Sequence, residues 1–192
     1  MSPLLLKKNT AANRIVAAKI LNGGGVGVMP TDTIYGVLGG ALLPKTVERI
    51  YRLRRRNKSK PLIVLISSPR DLKTFKIKLS ALAKRVLKQS WPGKVSVILP
   101  CPSAAFRYLH RGKKTLAFRL PKYRPLIKLL KLTGPLVAPS ANWEGYPPAN
   151  NVAEARKYFR GRVDFYLSGG SRKSKPSRLI KIENNRILAL RK

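Results

Sequence analysis

Acidic residues are scarce in this chain: seven Asp and Glu stand against 41 Lys and Arg over 192 residues, for a formal net charge of +34. There is one histidine, His110, and one cysteine, Cys101. So few proton-transferring and metal-ligating side chains, far apart in sequence, leave little material for a paired-carboxylate site, a histidine-based triad or a protein-built metal cage. A lone cysteine closes no internal disulfide, in keeping with a reducing compartment. No apolar run approaches the ~20 residues of a membrane span, and residues 1–9 hold too short an apolar segment for a secretory signal. A soluble, cytoplasmic protein without a membrane partner is therefore expected. Its chemistry, if any, must rest on cations, hydroxyls, amides and positioning. The length and the 44% hydrophobic content suit a single domain over residues 1–192.

What is abundant is positive charge. Such a surface attracts phosphate polymers whatever else the protein does, but the basic residues are spread over nearly every segment, so charge alone assigns no nucleic-acid function. One stretch stands out, Tyr51 to Leu62 (YRLRRRNKSKPL), which with Arg49 just before it carries seven cations. Pro44 to Leu53 has a helix pattern, and Pro61 to Ile66 is a continuous apolar run that reads as a buried strand. If the joint between them is extended, Arg54, Arg56, Lys58 and Lys60 project to one face beside a strand end, where α/β sheets hold ligands. That geometry suits a polyanion such as a nucleoside triphosphate. The alternative is a solvated charged turn.

Along the chain, helix and strand signals alternate. Thr10 to Leu21 reads as a capped helix, Gly23 to Gly27 as a turn that matches neither phosphate-loop pattern, and Val26 to Met29 as a strand. Pro30 to Gly36 (PTDTIYG) is an ordered loop with three hydroxyl residues and Asp32, a first candidate ligand wall. Ser68-Pro69 starts a helix, Leu79 to Gln89 is another, and Val95 to Leu99 and Thr115 to Leu120 are strands, the second carrying Arg119. Tyr123 to Leu132 is a helix and Leu136 to Ala138 a short strand. Pro139 to Pro148 is too rich in breakers to be regular and forms the second candidate ligand loop. A helix over Asn151 to Phe159, a strand over Asp164 to Leu167 and a cationic loop over Gly169 to Ser177 follow. Strands over Arg178 to Ile182 and Arg186 to Leu190 flank Asn184-Asn185, a hairpin signal. Trp91, Trp143 and Cys101 read as packing or surface and His110 as exposed; Arg119 could merely cap a strand end, and Tyr35 could belong to the core.

Taken together, Pro30-Thr-Asp-Thr-Ile-Tyr-Gly36, the Arg54/Arg56/Lys60-Pro-Leu block, Trp91-Pro-Gly93, Leu116-Ala-Phe-Arg119, Pro139-Ser-Ala-Asn142 with Gly145 and Pro147, and Ser177 after a Gly-Gly turn resemble the threonylcarbamoyl-AMP synthase family, the YrdC-like proteins. The order and spacing match over nearly the whole chain, and longer family members add a C-terminal domain that is not expected here. The resemblance implies an α/β (α+β in some schemes) three-layer domain with a twisted mixed sheet and a concave cationic face. It also implies a nucleotidyltransferase that joins L-threonine, bicarbonate and ATP into threonylcarbamoyl-AMP and pyrophosphate. The product would pass to a tRNA threonylcarbamoyl-transferase complex that modifies the adenosine at tRNA position 37. The carbamate of threonine would supply its own nucleophile, so the protein need only align reactants and neutralise phosphate. Mg²⁺ would be held mainly by the ATP phosphates and not by protein ligands.

By the same resemblance, Thr31, Tyr35, Arg56 and Ser140 would form the threonine site, with Arg56 gripping the carboxylate from two nitrogens. Arg54, Lys60, Arg119, Ser140, Asn142 and Ser177 would bind ATP, and Arg54, Arg56 and Lys60 would carry catalysis by stabilising charge at the α-phosphorus. Three positions depart from the family pattern: Arg54 for the usual Lys, Glu144 for Ser, and Arg178 for Thr. Arg and Lys are not interchangeable beside phosphate, and a carboxylate at 144 repels a triphosphate unless it faces a cation. The rival reading is a non-catalytic protein that binds double-stranded RNA, tRNA or ribosome precursors through the same face by shape and phosphate contacts.

Overall fold

The computed structural model describes residues 2–183 and 186–191. Its layers follow from the alternation of side chains along the central strands. In β2 (Val26–Pro30), β3 (Tyr35–Gly40) and β4 (Ile63–Leu65), Val28, Val37 and Val64 enter one apolar cluster while Met29, Leu38 and Leu65 enter another on the opposite face. Helices α1 (Ala11–Asn22) and α5 (Arg124–Thr133) cover the second cluster with Ala17, Leu21, Leu126 and Leu130. Helices α2 (Pro44–Leu53), α3 (Ala81–Ser90) and α6 (Val152–Phe159) cover the first with Val47, Ile50, Val86 and Phe159. Helices on both faces of one sheet give the three-layer α/β architecture expected. Each fully buried aliphatic side chain contributes on the order of ~1.5–3 kcal/mol.

The other strands are β1 (Leu4–Leu6), β5 (Val95–Pro100), β6 (Thr115–Arg119), β7 (Leu136–Val137), β8 (Phe165–Leu167), β9 (Arg178–Glu183) and β10 (Arg186–Arg191), and a short helix, α4, spans Arg107–His110. All ten strands form one sheet in the order β1-β8-β2-β3-β7-β4-β6-β5-β9-β10. The sheet is mixed: β4 runs parallel to β6 and β5 to β9, whereas β3 and β4 both run antiparallel to β7. Gly27 is required where β2 meets β8, because a Cβ there would lie 2.1 Å from the Phe165 ring.

Several local expectations are corrected. Residues 35–40 form a full strand, although the sequence reads only as a loop as far as Gly36; three of its six residues are glycine, which carries no strand signal. Strand β1 is likewise unannounced. The cap at Ser68 is present, with its Oγ accepting from the Arg70 N–H, but the segment Pro69–Phe75 tightens into a 3₁₀ helix that ends at Lys76 with φ 55°. His110 is buried, not exposed, at 3%. Its Nδ1 accepts N–H bonds from Gly112 and Lys114 and closes the turn after α4. Strands β9 and β10 pair antiparallel as the hairpin signal requires, while Asn184 and Asn185 lie outside the described residues. Among the described residues, no helix is long and apolar enough to cross a membrane.

Candidate active site

The basic joint is not extended. Helix α2 closes on Arg54, which keeps helical backbone angles, and Arg55 then reverses the chain at φ 50°. The Lys60 N–H bonds back to Asn57 O at 3.2 Å. Side chains therefore leave in different directions: Arg54 is buried, Arg56 half-buried, Lys58 and Lys60 exposed. Lys58 pairs with Glu48 at 3.3 Å, and Lys60 Nζ lies 3.0 Å from Glu144 Oε1. Only Arg54 and Arg56 of the four face the cleft beside this turn.

That cleft, about 590 Å³ including its mouth, is lined by both hydroxyl-rich loops, by Arg54, Arg56 and Arg119, and by Pro176, Ser177 and Arg191. The topology assembles it. The β2–β3 turn and the segment after β7 meet at one sheet end, where Val37 N–H bonds Pro139 O and Ala141 N–H bonds Tyr35 O. Arg54 fastens the second loop from behind: its Nε donates to Ser140 O at 2.7 Å, and its Nη2 to Ser140 Oγ at 3.1 Å and Asn142 Oδ1 at 3.0 Å. Burial, reinforced by the charge of Arg56, pushes the Arg54 guanidinium down to about 10. Asn142 is turned inward, its Nδ2 donating to Trp143 O and Tyr146 O, so it positions Arg54 and does not line the cleft.

Other expected residues do line the cleft, with their polar atoms partly engaged. Thr31 Oγ1 donates to Ile34 O at 2.8 Å and accepts the Thr33 N–H, which fixes the loop. Tyr35 Oη donates to Gly170 O at 2.7 Å and accepts the Gly169 N–H at 3.0 Å, anchoring the segment from Gly169 to Pro176 across the cleft. Burial raises the Tyr35 phenol. Arg56 donates from Nε and Nη2 to the carbonyls of Lys60 and Pro61. Arg119 is 4% exposed and forms an ion pair with Asp32 at 3.2 Å, while Asp32 Oδ2 accepts the Lys122 N–H. Burial holds the Arg119 guanidinium below its ordinary value, and the Asp32 charge opposes that. Ser177 Oγ shares a 2.9 Å contact with Ser96 Oγ.

Lys60 stands outside the lining, at the rim beside Glu144. Two participants escaped sequence reading. Arg191 reaches in from β10 with Nε on Ser177 O at 2.9 Å, and no local signal separates it from 40 other basic residues. Asp32 sits inside a motif already singled out, and its pairing with Arg119 could have been suspected because acids are so few. Among the described residues, Arg54 Nη1 and Arg119 Nε are buried without a hydrogen-bond partner.

The family description "Telomere recombination" (Sua5_yciO_yrdC) matches residues 19–192 of this chain. The chain belongs to the Sua5/YciO/YrdC family. A relative from Pyrococcus abyssi named threonylcarbamoyl-AMP synthase is 31% identical over 156 residues, covering 81% of this chain and 46% of that protein. One of the same name from Thiobacillus denitrificans is 31% identical over 169 residues, covering 88% of this chain and 90% of its own. The crystal structure of P. abyssi Sua5 complexed with L-threonine superposes with a TM-score of 0.91 at 27% identity, over 100% of this chain and 57% of that one. This member of the Sua5/YciO/YrdC family thus spans about half of the Pyrococcus protein and nearly the whole of the Thiobacillus one. Its cleft is lined from five of the six segments that carried the resemblance in the sequence, Trp91-Pro-Gly93 standing apart.

Proposed function

We propose that this chain is an L-threonylcarbamoyladenylate synthase, a nucleotidyltransferase acting on L-threonine, bicarbonate and ATP. The observation that carries the reading is the cleft itself: four guanidinium groups, from Arg54, Arg56, Arg119 and Arg191, line it, and among the described residues no carboxylate does. Such a site favours a polyanion over any cation or neutral ligand. The names of the relatives and the threonine bound to P. abyssi Sua5 supply the substrate class.

In this reading, the threonine amine attacks the bicarbonate carbon, whose hydroxyl leaves as water with an amine proton, and a carbamate oxygen then attacks the α-phosphorus of ATP. The bond to the bridging oxygen breaks and pyrophosphate leaves with the negative charge. Arg56 receives the threonine carboxylate, near Thr31, Tyr35 and Ser140, which shape the pocket. Arg54 Nη1 and Arg119 Nε are open donors, and a buried unpaired donor is unfavourable until an acceptor meets it; phosphate oxygens are the acceptors the reading supplies. Fixed cations at that point stabilise the charge that develops in the transition state. Ser177 and Arg191 stand where the triphosphate tail would run, and Lys60 joins from the rim. Asp32 and Glu144 are both engaged by cations and backbone N–H groups, a donor set that fits Mg²⁺ entering as part of MgATP. The product would serve a tRNA threonylcarbamoyl-transferase step in the cytoplasm.

The test is pyrophosphate release from ATP. It is expected to require both threonine and bicarbonate, with serine a poorer substrate by about 1–3 kcal/mol for want of one methyl contact. Equal release with threonine omitted would overturn the reading.

A further inference from the structure

Glu144 stands out as a carboxylate at the rim of a cleft built for anions. Its Oε2 accepts the Asn57 N–H at 2.7 Å, its Oε1 lies 3.0 Å from Lys60 Nζ and 3.7 Å from Arg56 Nη1, and its own N–H bonds Arg54 O at 2.9 Å. The residue thus crosses from the Pro139–Pro148 loop to the basic turn and engages the two rim cations together. The amide bond and the cations hold its carboxyl below the usual carboxylate range. Lys60 is 57% exposed at the side chain, so the ammonium is free to swing on its four-carbon stem. Arg56 is tied to two backbone carbonyls, which leaves Nη1 as the nitrogen facing Glu144.

We propose that Glu144 determines the charge specificity of the cleft: it is a built-in counter-anion on Lys60, braced by Arg56, that yields Lys60 only to a ligand more highly charged than a carboxylate. A single-charged anion gains little by displacing it, since one carboxylate–ammonium contact is exchanged for another. A triphosphate brings several charges to Lys60 while Arg54, Arg119 and Arg191 hold its other end, so the exchange is favourable. Lys60 is then a residue recruited by the ligand from its pairing with Glu144. The inference rests on the proposed polyphosphate substrate but is separable from the reaction.

The test uses inorganic tripolyphosphate and orthophosphate as probes, titrated calorimetrically into the full chain. Glu144→Gln keeps an oxygen for the Asn57 N–H and removes the charge; Glu144→Ser removes both. Because exposed ion pairs are worth at most about 1 kcal/mol, both variants are expected to bind the probes about threefold to fivefold more tightly than the parent. The gain is expected to be larger for orthophosphate, so that discrimination between the probes narrows. In a Lys60→Ala background the gain is expected to fall away, which a double-mutant cycle reads directly. Unchanged or weaker binding in Glu144→Gln, a gain that survives without Lys60, or no tripolyphosphate binding at all would each overturn the proposal. Failure of threonine-dependent pyrophosphate release with the cycle intact would overturn the reaction and leave the charge filter standing.

Discussion

Arg54 and Arg56 are two residues apart and are expected to fail in different ways. Arg54 is 3% exposed and its fork is the tie between α2 and the loop at Ser140 and Asn142. Truncating it to Ala strands Asn142 Oδ1, a buried acceptor costing about 1–3 kcal/mol when unpaired, and leaves the Ser140 carbonyl with only the Asn142 N–H. Arg54→Ala is therefore expected to lower the thermal midpoint as well as anion binding. Arg56 is half-exposed and contacts only nearby carbonyls and Glu144, so Arg56→Ala should leave the midpoint nearly unchanged. It should weaken threonine by about 2–4 kcal/mol, as for truncating one partner of a charge pair. Calorimetric melting and threonine titration of the two variants check the contrast; equal melting losses would contradict it. The motif types at 54, 56, 119, 140 and 177 were legible in the sequence. Which nitrogen meets which oxygen was not, because Arg54–Asn142 and Lys60–Glu144 are contacts across more than 80 residues.

At the scale of elements, Tyr35 holds the start of the segment from Gly169 to Pro176, which the Arg172 N–H on Asn150 O and Lys94 Nζ on Ser174 Oγ tie further along. Tyr35→Phe removes the bond to Gly170 O and leaves the Gly169 N–H without its acceptor. Trypsin is expected to cut at Arg172 and Lys173 faster in this variant, with the far-ultraviolet spectrum unchanged; equal cleavage rates would contradict the anchoring role. The tie between the basic turn and the 139–148 loop depends on pH through Glu144. Its folded value lies below the ordinary 4.5, so its contribution is complete above that pH and is lost as pH falls through the folded value. The melting difference between the parent and Glu144→Gln should accordingly vanish between ~pH 6 and ~pH 3. Most helices and strands were readable from period and caps, since burial on one face imposes a period on the residues. β3 was missed for its glycines, and whether the basic joint is extended or a turn stayed open because one left-handed residue, Arg55, decides it. No residue-type signal marks an arginine for that conformation.

For the molecule as a whole, the charge of +34 is a property separate from the site. Non-specific RNA binding is expected at low salt and should weaken steeply as salt rises, because phosphate contacts act by counterion release. Sequence-selective binding that persists at high salt, together with no adenylate synthesis, would favour a binding protein over an enzyme. The fold class and the family could be read before any coordinates because six short motifs keep their order along the chain. The convergence of Arg191 with those motifs could not, since it depends on β10 joining the sheet beyond β9. The measurement that bears most directly on the proposed activity is detection of the adenylate itself after incubation with carbon-labelled bicarbonate, threonine and MgATP. A nucleotide carrying both the labelled carbon and the threonine is expected, in amounts equal to the pyrophosphate released and absent when threonine is left out. Pyrophosphate release without label in any nucleotide would contradict it.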